Sequence, residues 1–159
     1  MAGEGPRIRT GIGIDSHAFA PGRPLILGGV EIPGERGLAG HSDADVLAHA
    51  IADAVLGAAG LGDIGQHFPD TDERWRGADS MKLLRHVVSL AAEQGLRVEH
   101  VDATVMLERP KLAPHREAIE ASLEAVVGSV NVKATTDEGM SFVGRGEGAA
   151  ALAVTTLVG

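Results

Sequence analysis

The sequence predicts a single α+β domain, an α/β sandwich in which a mixed four-stranded sheet carries helices on one face beside a small hairpin. The chain has 159 residues, the usual size of one compact domain. Several short segments have strand-like patterns, and three longer segments have apolar residues at helical spacing. These segments follow one another without repeats, low-complexity tracts or linkers, so we assign residues 1–159 to one domain.

The first predicted strand covers residues 7–15. Ile8, Ile12 and Ile14 lie on one side of it, which we expect to be its apolar side. Residues 1–6 precede the strand and are expected to be a short flexible lead.

A hairpin and a helix are predicted next. Residues 25–33 predict a hairpin that turns at two consecutive glycines, and residues 34–40 predict a loop. Ser42 or Asp43 is expected to cap a helix that ends near Ala59. The apolar stripe of this helix consists of Val46, Leu47, Ile51, Ala54 and Val55.

The second half of the chain predicts two further helices and three strands. Gly and Asp are frequent in the predicted loop, and a glycine at the end of the first of these helices is a suitable C-cap. The predicted order is a loop at 60–78, a helix at 79–94, a strand at 97–107, a helix at 114–127 and strands at 130–136 and 147–158.

The composition limits the chemistry that the chain can perform. There is no cysteine, so disulfides and thiolate metal sites are excluded, and a metal would depend on Asp, Glu and the seven His. The formal charge of −8 argues against nucleic acid or an anionic membrane as a partner. No apolar run reaches the roughly 20 residues of a membrane span, and the first residues do not resemble a signal peptide, so we expect a cytoplasmic protein.

Two segments contain residues that suit a metal site. Asp15 and His17 are two apart on a predicted strand and therefore project to the same side, although an Asp turn followed by a surface His is the simpler explanation of this pair alone. Asp45, His49 and Asp53 recur at a spacing of four and share one helix face. This face is either solvated, or it contains a core His, or it presents His49 as a third metal ligand whose ring an Asp holds.

Four further segments suit an anionic or polar ligand, and two of them also have a plain structural explanation. Residues 62–72 form a long polar loop that suits a sugar, unless it is an ordinary surface loop. Lys111 stands beside a rigid proline, and the hydroxyls of Thr135 and Thr136 precede Glu138, whose carboxylate suits a hard cation such as Mg²⁺. Residues 144–148, GRGEG, form either an anion-binding turn or the entry to a strand.

Taken in order, these segments resemble the cyclodiphosphate synthase family over nearly the whole chain. The resemblance is most specific in the block from Gly37 to Asp72, where HSD, DAVLGA, GDIG and FPDTD follow one another. The other matching segments are GIGIDSHAF, LILGGVEIP, GADS, ERPKL, VNVKATT and GRGEG.

The resemblance implies a role for individual residues. Asp15, His17 and His49 match the zinc ligands of the family, Glu138 matches its Mg²⁺ or Mn²⁺ ligand, and His41 and Thr136 match its transition-state stabilisers. The positions that match the remaining substrate contacts are Ser16, Ser42, Asp63, Ile64, Gly65, Phe68, Pro69, Asp70, Thr71, Asp72, Leu107, Glu108, Arg109, Pro110, Lys111, Leu112, Ala113, Ala134, Thr135, Asp137, Phe142 and Arg145.

The activity that the resemblance implies is the cyclisation of a CDP-linked methylerythritol phosphate with release of CMP. The family assembles as a homotrimer with each active site between adjacent subunits. The family often has Thr where this chain has Asp137, and Gly where it has Ser141. We expect the backbone N–H of Asp137, and not its side chain, to face phosphate.

Two other functions are compatible with the same residues. A cluster of His and Asp with an open metal position also suits a metal-dependent phosphohydrolase, which would release free phosphate or diphosphate. A non-catalytic trimeric module that binds isoprenoid diphosphates in a central channel would need no metal ligands.

Overall fold

The computed structural model describes residues 5–34 and 36–159. Residues 1–4 of the expected flexible lead lie outside the described residues, so that expectation stays a prediction. Among the described residues, no helix combines the length and the apolar character that crossing a bilayer requires.

Five strands form the main sheet, one more than the four predicted. They are β1 (Ile8–Pro21), β4 (Arg36–Leu38), β5 (Arg97–Met106), β6 (Val130–Thr135) and β7 (Gly148–Val158), in the order β4-β1-β7-β5-β6. Only β5 and β6 run parallel among these pairs. The extra strand, β4, lies in the predicted loop, where three residues are too few to show an alternating pattern. It pairs with residues 19–21 because β1 continues six residues beyond its predicted end.

The helices cover one face of the sheet, as predicted. They are α1 (Val46–Ala59), α2 (Ile64–His67), α3 (Ser80–Glu93), α4 (Arg116–Val127) and α5 (Ser141–Gly144). The short helices α2 and α5 and the 3₁₀ turns at Glu73–Trp75 and Ala113–His115 were not predicted as separate elements. Each is three or four residues long, which is too short for a helical period.

Helix α1 packs directly on β1 because the glycines between them have no side chain and let the two backbones come into close contact. A Cβ atom on Gly13 would lie 1.8 Å from the carbonyl oxygen of Ala50, and one on Gly11 would lie 2.1 Å from that of Ala54. Both distances are far below van der Waals contact, so only glycine fits this side of the strand. The contact holds Asp15 and His17, which alternate onto the same side of β1, against α1.

The other face of the sheet exposes the isoleucines of β1. Ile8, Ile12 and Ile14 do share one side of the strand, but that side points away from the helices and leaves each of them at least 60% exposed. Ile12 pairs with Val154 and Ile14 with Leu152, both of which are also exposed. The three isoleucines therefore form an apolar side of the strand, as predicted, and a single subunit leaves this side exposed.

The predicted hairpin is confirmed and is fixed to the start of α1. It consists of β2 (Leu25–Leu27) and β3 (Val30–Ile32), and Gly28 and Gly29 turn between them with φ of 56° and 78°. The carboxylate of Asp45 accepts N–H groups from both glycines and from Ala48. The N-cap of α1 is therefore Asp45, and not Ser42 or Asp43 as predicted.

Candidate functional site

Three predicted ligands from β1 and α1 converge on one point. Asp15 Oδ2 lies 2.8 Å from Nε2 of His17 and 3.0 Å from Nδ1 of His49, and the two ring nitrogens lie 3.4 Å apart. Among the described residues, these three form the one cluster of His and carboxylate groups that could hold a metal ion. The strand spacing of two residues and the first turns of the helix therefore place the ligands as the sequence predicts.

The size of the cluster fits a tetrahedral metal ion. Zn²⁺ with bonds of about 2.0–2.1 Å to nitrogen and oxygen separates its ligand atoms by about 3.3 Å. The three distances observed here, 2.8 to 3.4 Å, lie close to that value. Three protein ligands leave the fourth tetrahedral position free for a substrate oxygen, as in catalytic zinc sites.

The electrostatics of the cluster favour an ionised carboxylate. Burial raises the pKa of Asp15, but hydrogen bonds and positive charge from His17 and His49 outweigh it and lower that pKa to about 2. Burial lowers the pKa of the His49 ring, and the hydrogen bond and negative charge of Asp15 more than reverse this, so the pKa is raised. The Asp15 carboxylate therefore stays ionised beside the two rings, which suits a cation bound at this point.

The far side of the His49 ring contacts hydroxyl groups, not an Asp as predicted. Nε2 of His49 lies 2.7 Å from the hydroxyl of Ser80 and 3.2 Å from that of Ser42. The two carboxylates expected to hold the ring serve other elements. Asp45 is fully buried against the hairpin, and Asp53 accepts the N–H of Ile64 at 2.8 Å.

The loop at 62–72 lines the cavity beside the cluster of Asp15, His17 and His49. Asp63 caps the short helix α2 and Asp53 anchors its first residue, so both carboxylates set the backbone of the loop. The Nε2–H of His41 donates to the carbonyl oxygen of Asp72 at 3.2 Å and connects the loop to the segment before α1. The carboxylate of Asp72 is held by Arg74, whose hydrogen bonds and charge lower its pKa.

A cavity of about 480 Å³ opens beside the cluster. Its lining includes many residues that match the methylerythritol pocket and the metal site, together with three that were not predicted, Gly40, Trp75 and Leu83. The predicted residues in the lining are His17, His41, Ser42, His49, Ile64, Gly65, Phe68, Pro69 and Asp70. Trp75 meets Phe68 edge-on, with ring centroids 5.0 Å apart, and an isolated aromatic residue in a loop gives no signal for such a role.

Not every predicted residue in this region lines the cavity. Ser16 alternates onto the opposite side of β1 and is exposed, Thr71 is exposed, and Asp63 and Asp72 make the loop contacts described above. The substrate roles of these four residues stay predictions.

The residues that match the nucleotide surface line a separate, smaller cavity of about 190 Å³. Its lining consists of Leu107, Glu108, Pro110, Lys111, Leu112, Ala113, Ala134, Thr135 and Thr136. Arg109 is exposed beside it. Ser16, Ala150, Met106 and Thr135 are paired across four neighbouring strands of the sheet, with Ser16 on β1 at one end and Thr135 on β6 at the other. Three strand spacings separate Ser16 from Thr135 by about 14 Å. The two cavities share no lining residue, so one subunit does not join them in a single cavity.

The turn after β6 differs from our expectation for Asp137. Its backbone N–H donates to the carboxylate of Glu108 at 2.5 Å, so it is not free for phosphate. Its side chain accepts a hydrogen bond from the hydroxyl of Ser141. The two positions at which this chain departs from the family pattern therefore contact each other, and Ser141 keeps the carboxylate of Asp137 within the turn.

The last predicted residues are exposed. Glu138 has a positive φ of 49° and stands outside any cluster of metal ligands among the described residues. Arg145 pairs with Glu147 at 2.8 Å, and Phe142 is 38% exposed at the start of α5. Their assignment to metal or substrate depends on groups beyond this subunit and stays a prediction.

Known proteins resemble this chain over nearly its whole length. A family model described as the YgbB family matches residues 8–158. The 2-C-methyl-D-erythritol 2,4-cyclodiphosphate synthase of Pelobacter propionicus is 58% identical over 96% of this chain and 99% of its own length. A bifunctional IspD/IspF enzyme of Anaeromyxobacter dehalogenans is 59% identical, and the chain spans only 40% of that protein.

Solved structures share the fold at similar coverage. A 2C-methyl-D-erythritol-2,4-cyclodiphosphate synthase described as a CDP-bound form superposes with a TM-score of 0.86 at 41% identity, over 94% of this chain and 99% of that one. The bifunctional IspDF of Campylobacter jejuni gives a TM-score of 0.93 at 44% identity, over 97% of this chain and 43% of that one. The resemblance inferred from the ordered motifs is confirmed, and the chain belongs to the YgbB family.

Proposed function

We propose that this chain is a phosphorus–oxygen lyase of non-mevalonate isoprenoid synthesis. It converts 4-diphosphocytidyl-2-C-methyl-D-erythritol 2-phosphate to 2-C-methyl-D-erythritol 2,4-cyclodiphosphate and releases CMP. The observation that carries the proposal is the convergence of Asp15, His17 and His49 beside a cavity whose lining matches the methylerythritol pocket. Relatives that match nearly their whole length bear the name of this synthase.

The two cavities divide the substrate between them. The larger cavity has polar backbone and a hydrophobic wall at Phe68 and Trp75, which suits a branched sugar alcohol. The smaller cavity has Lys111 and the hydroxyls of Thr135 and Thr136, which suit a nucleotide and its phosphates. The cluster of Asp15, His17 and His49 lies beside the larger cavity, where the 2-phosphate of the substrate would be held.

The reaction needs no nucleophile from the protein. An oxygen of the 2-phosphate attacks the β-phosphorus, a new P–O bond forms, and the bond from that phosphorus to the CMP oxygen breaks. Both reacting groups are anionic, so alignment and charge compensation set the barrier. Holding the two groups in line contributes roughly 7–11 kcal/mol when the geometry is close to that of attack.

Residues on both sides of the reacting groups would supply this alignment. His41, fixed by the carbonyl of Asp72, faces the larger cavity, and Thr136 lines the smaller one. We assign both to transition-state stabilisation, in agreement with the family resemblance. The loop at 62–72 lines the sugar side of the site, where a bound substrate would displace water that could otherwise hydrolyse the diphosphate.

The metal ions complete this arrangement. We assign one Zn²⁺ per subunit to Asp15, His17 and His49, and Mg²⁺ or Mn²⁺ to Glu138 with the substrate diphosphate. When bound, such cations neutralise and polarise phosphate oxygens. The chain itself contributes the ligand geometry, and the Asp15 carboxylate stays ionised because the two His rings lower its pKa.

We propose that the active unit is a homotrimer with each active site between adjacent subunits. Two observations support it. The exposed Ile8, Ile12 and Ile14 form an apolar face that a lone subunit would leave in water. The sugar and nucleotide cavities share no lining residue in one subunit, so a neighbouring subunit is the natural source of the missing half. We further propose a cytoplasmic location.

Loss of the ligand cluster tests the proposal. His49→Ala should lose the bound zinc and reduce CMP release by at least a hundredfold, because removing one of three ligands opens the site. His100→Ala is the matched control, since that His is exposed and its ring hydrogen-bonds to the hydroxyl of Ser129, away from the cluster. Metal analysis and chromatography of CMP provide the two readouts. A His49→Ala variant with stoichiometric zinc and full turnover would contradict the assignment.

A further inference from the structure

A serine for which the sequence predicted no role contacts His49 on the side of the ring opposite to Asp15 and His17. Ser80 is the first residue of α3 and is 1% exposed. Its hydroxyl lies between Nε2 of His49, at 2.7 Å, and the carboxylate of Asp43. Three elements of the fold therefore meet at one hydroxyl group, on the side of the ring opposite to Asp15 and His17.

The direction of these hydrogen bonds follows from the groups available. The carboxylate of Asp43 also accepts the N–H of Asp45 and the N–H of Ser80, each at 3.1 Å. A carboxylate has no hydrogen to donate, so the hydroxyl hydrogen of Ser80 points to Asp43. The oxygen of Ser80 then offers only lone pairs to His49, and the ring must donate its Nε2–H.

This arrangement determines which ring nitrogen faces the ligands. With the hydrogen on Nε2, the neutral ring presents the lone pair of Nδ1 on the side of Asp15 and His17. Nδ1 is the atom that lies 3.0 Å from Asp15 and 3.4 Å from His17. A ring with the opposite tautomer would direct an N–H at the metal position.

We infer that Ser80, backed by Asp43, is a positioning residue that orients His49 for metal binding. Ser42 is the weaker partner, since its hydroxyl is 3.2 Å from Nε2 and also accepts the N–H of Ala44. The inference rests on the proposed metal site, but it concerns the affinity for the ion and the tautomer of one ring. Metal-binding His rings in proteins commonly have such an outer partner, whose loss typically reduces affinity about 10–100-fold.

Zinc titration separates this role from a structural one. The dissociation constant of Zn²⁺ would be measured by competition with a chromophoric chelator in wild type, Ser80→Ala and Ser89→Ala. Ser89 is the matched control, because it lies exposed on the same helix and contacts only a carbonyl of that helix. We expect the constant to rise about 10–100-fold in Ser80→Ala and to stay unchanged in Ser89→Ala.

The outcomes distinguish this inference from the proposed function. A wild type that binds no zinc would contradict the metal site itself. A wild type that binds zinc, with a less than fivefold change in Ser80→Ala, would overturn the role of Ser80 alone.

A second measurement needs no variant and remains informative if Ser80→Ala does not fold. Long-range ¹H–¹⁵N NMR of the His-labelled, zinc-loaded wild type should show His49 coordinated through Nδ1 with its hydrogen on Nε2. Coordination through Nε2 would overturn the inference.

Discussion

Asp45 is a buried carboxylate with a structural task. It is completely inaccessible to solvent and accepts N–H groups from Gly28, Gly29 and Ala48 at 2.8 to 2.9 Å. Burial raises its pKa to about 6, although the three N–H donors oppose the change. One side chain therefore joins the hairpin turn to the first turn of α1, the helix that also carries His49.

The raised pKa makes part of the folding stability depend on pH. Between the ordinary value of 3.8 and about 6, the folded protein binds more protons at Asp45 than the unfolded chain does. The resulting contribution of about 3 kcal/mol is present below pH 4 and is lost as the pH rises through 6. The free energy of unfolding of metal-free wild type and Asp45→Asn would be measured in urea at pH 4 and at pH 7. Relative to the variant, the wild type should lose about 3 kcal/mol of this free energy over that range. A difference that stays constant, or grows with pH, would show that the N–H donors outweigh burial.

At the scale of elements, β1 shows what a sequence pattern can and cannot predict. The alternation of Gly and Ile places Ile8, Ile12 and Ile14 on one side of the strand, as predicted. Which side faces the core depends on α1, whose backbone comes too close to Gly11 and Gly13 for any side chain. The pattern is local, but the choice of face is made by a helix more than thirty residues away.

The same distinction applies to the other elements. The long helices and the hairpin were predicted because their periods and turn glycines are visible in the sequence. In β7 the small residues Ala149, Ala151 and Ala153 are buried on the side of the helices. The strand β4 and the helix α5 have three and four residues, so neither completes a recognisable pattern.

In the candidate site too, local patterns predicted some residues, whereas contacts between distant parts of the chain were not predictable. Spacing on a strand and on a helix made Asp15, His17 and His49 candidate ligands, the family resemblance selected that interpretation, and the structure brings the three together. Ser80 was not predicted, since it contacts His49 from another helix, 31 residues further along. The residues of the nucleotide cavity were predicted from family resemblance, and no local pattern connects them with the metal ligands.

At the scale of the whole molecule, the open face of the sheet is the feature that a single subunit leaves unexplained. If it is the trimer interface, Ile12→Asp should place a charge in that interface and yield monomers with little turnover. Ala125→Asp, an equivalent change on the exposed side of α4, should leave assembly unchanged. Light scattering should give three times the chain mass of 16.4 kDa for wild type and for this control. An active wild-type monomer, or a trimeric Ile12→Asp variant, would contradict the interface.

The cyclisation itself is tested most directly by the products of the wild-type enzyme. Phosphorus NMR of a reaction with 4-diphosphocytidyl-2-C-methyl-D-erythritol 2-phosphate, zinc and Mg²⁺ should show the substrate signals replaced by those of CMP and a cyclic diphosphate. A cyclic product follows if the 2-phosphate is held in line with the β-phosphorus and water is excluded. Free phosphate or linear methylerythritol phosphates would instead identify a phosphohydrolase, and unchanged substrate would indicate a binding module; either result would contradict the proposed reaction.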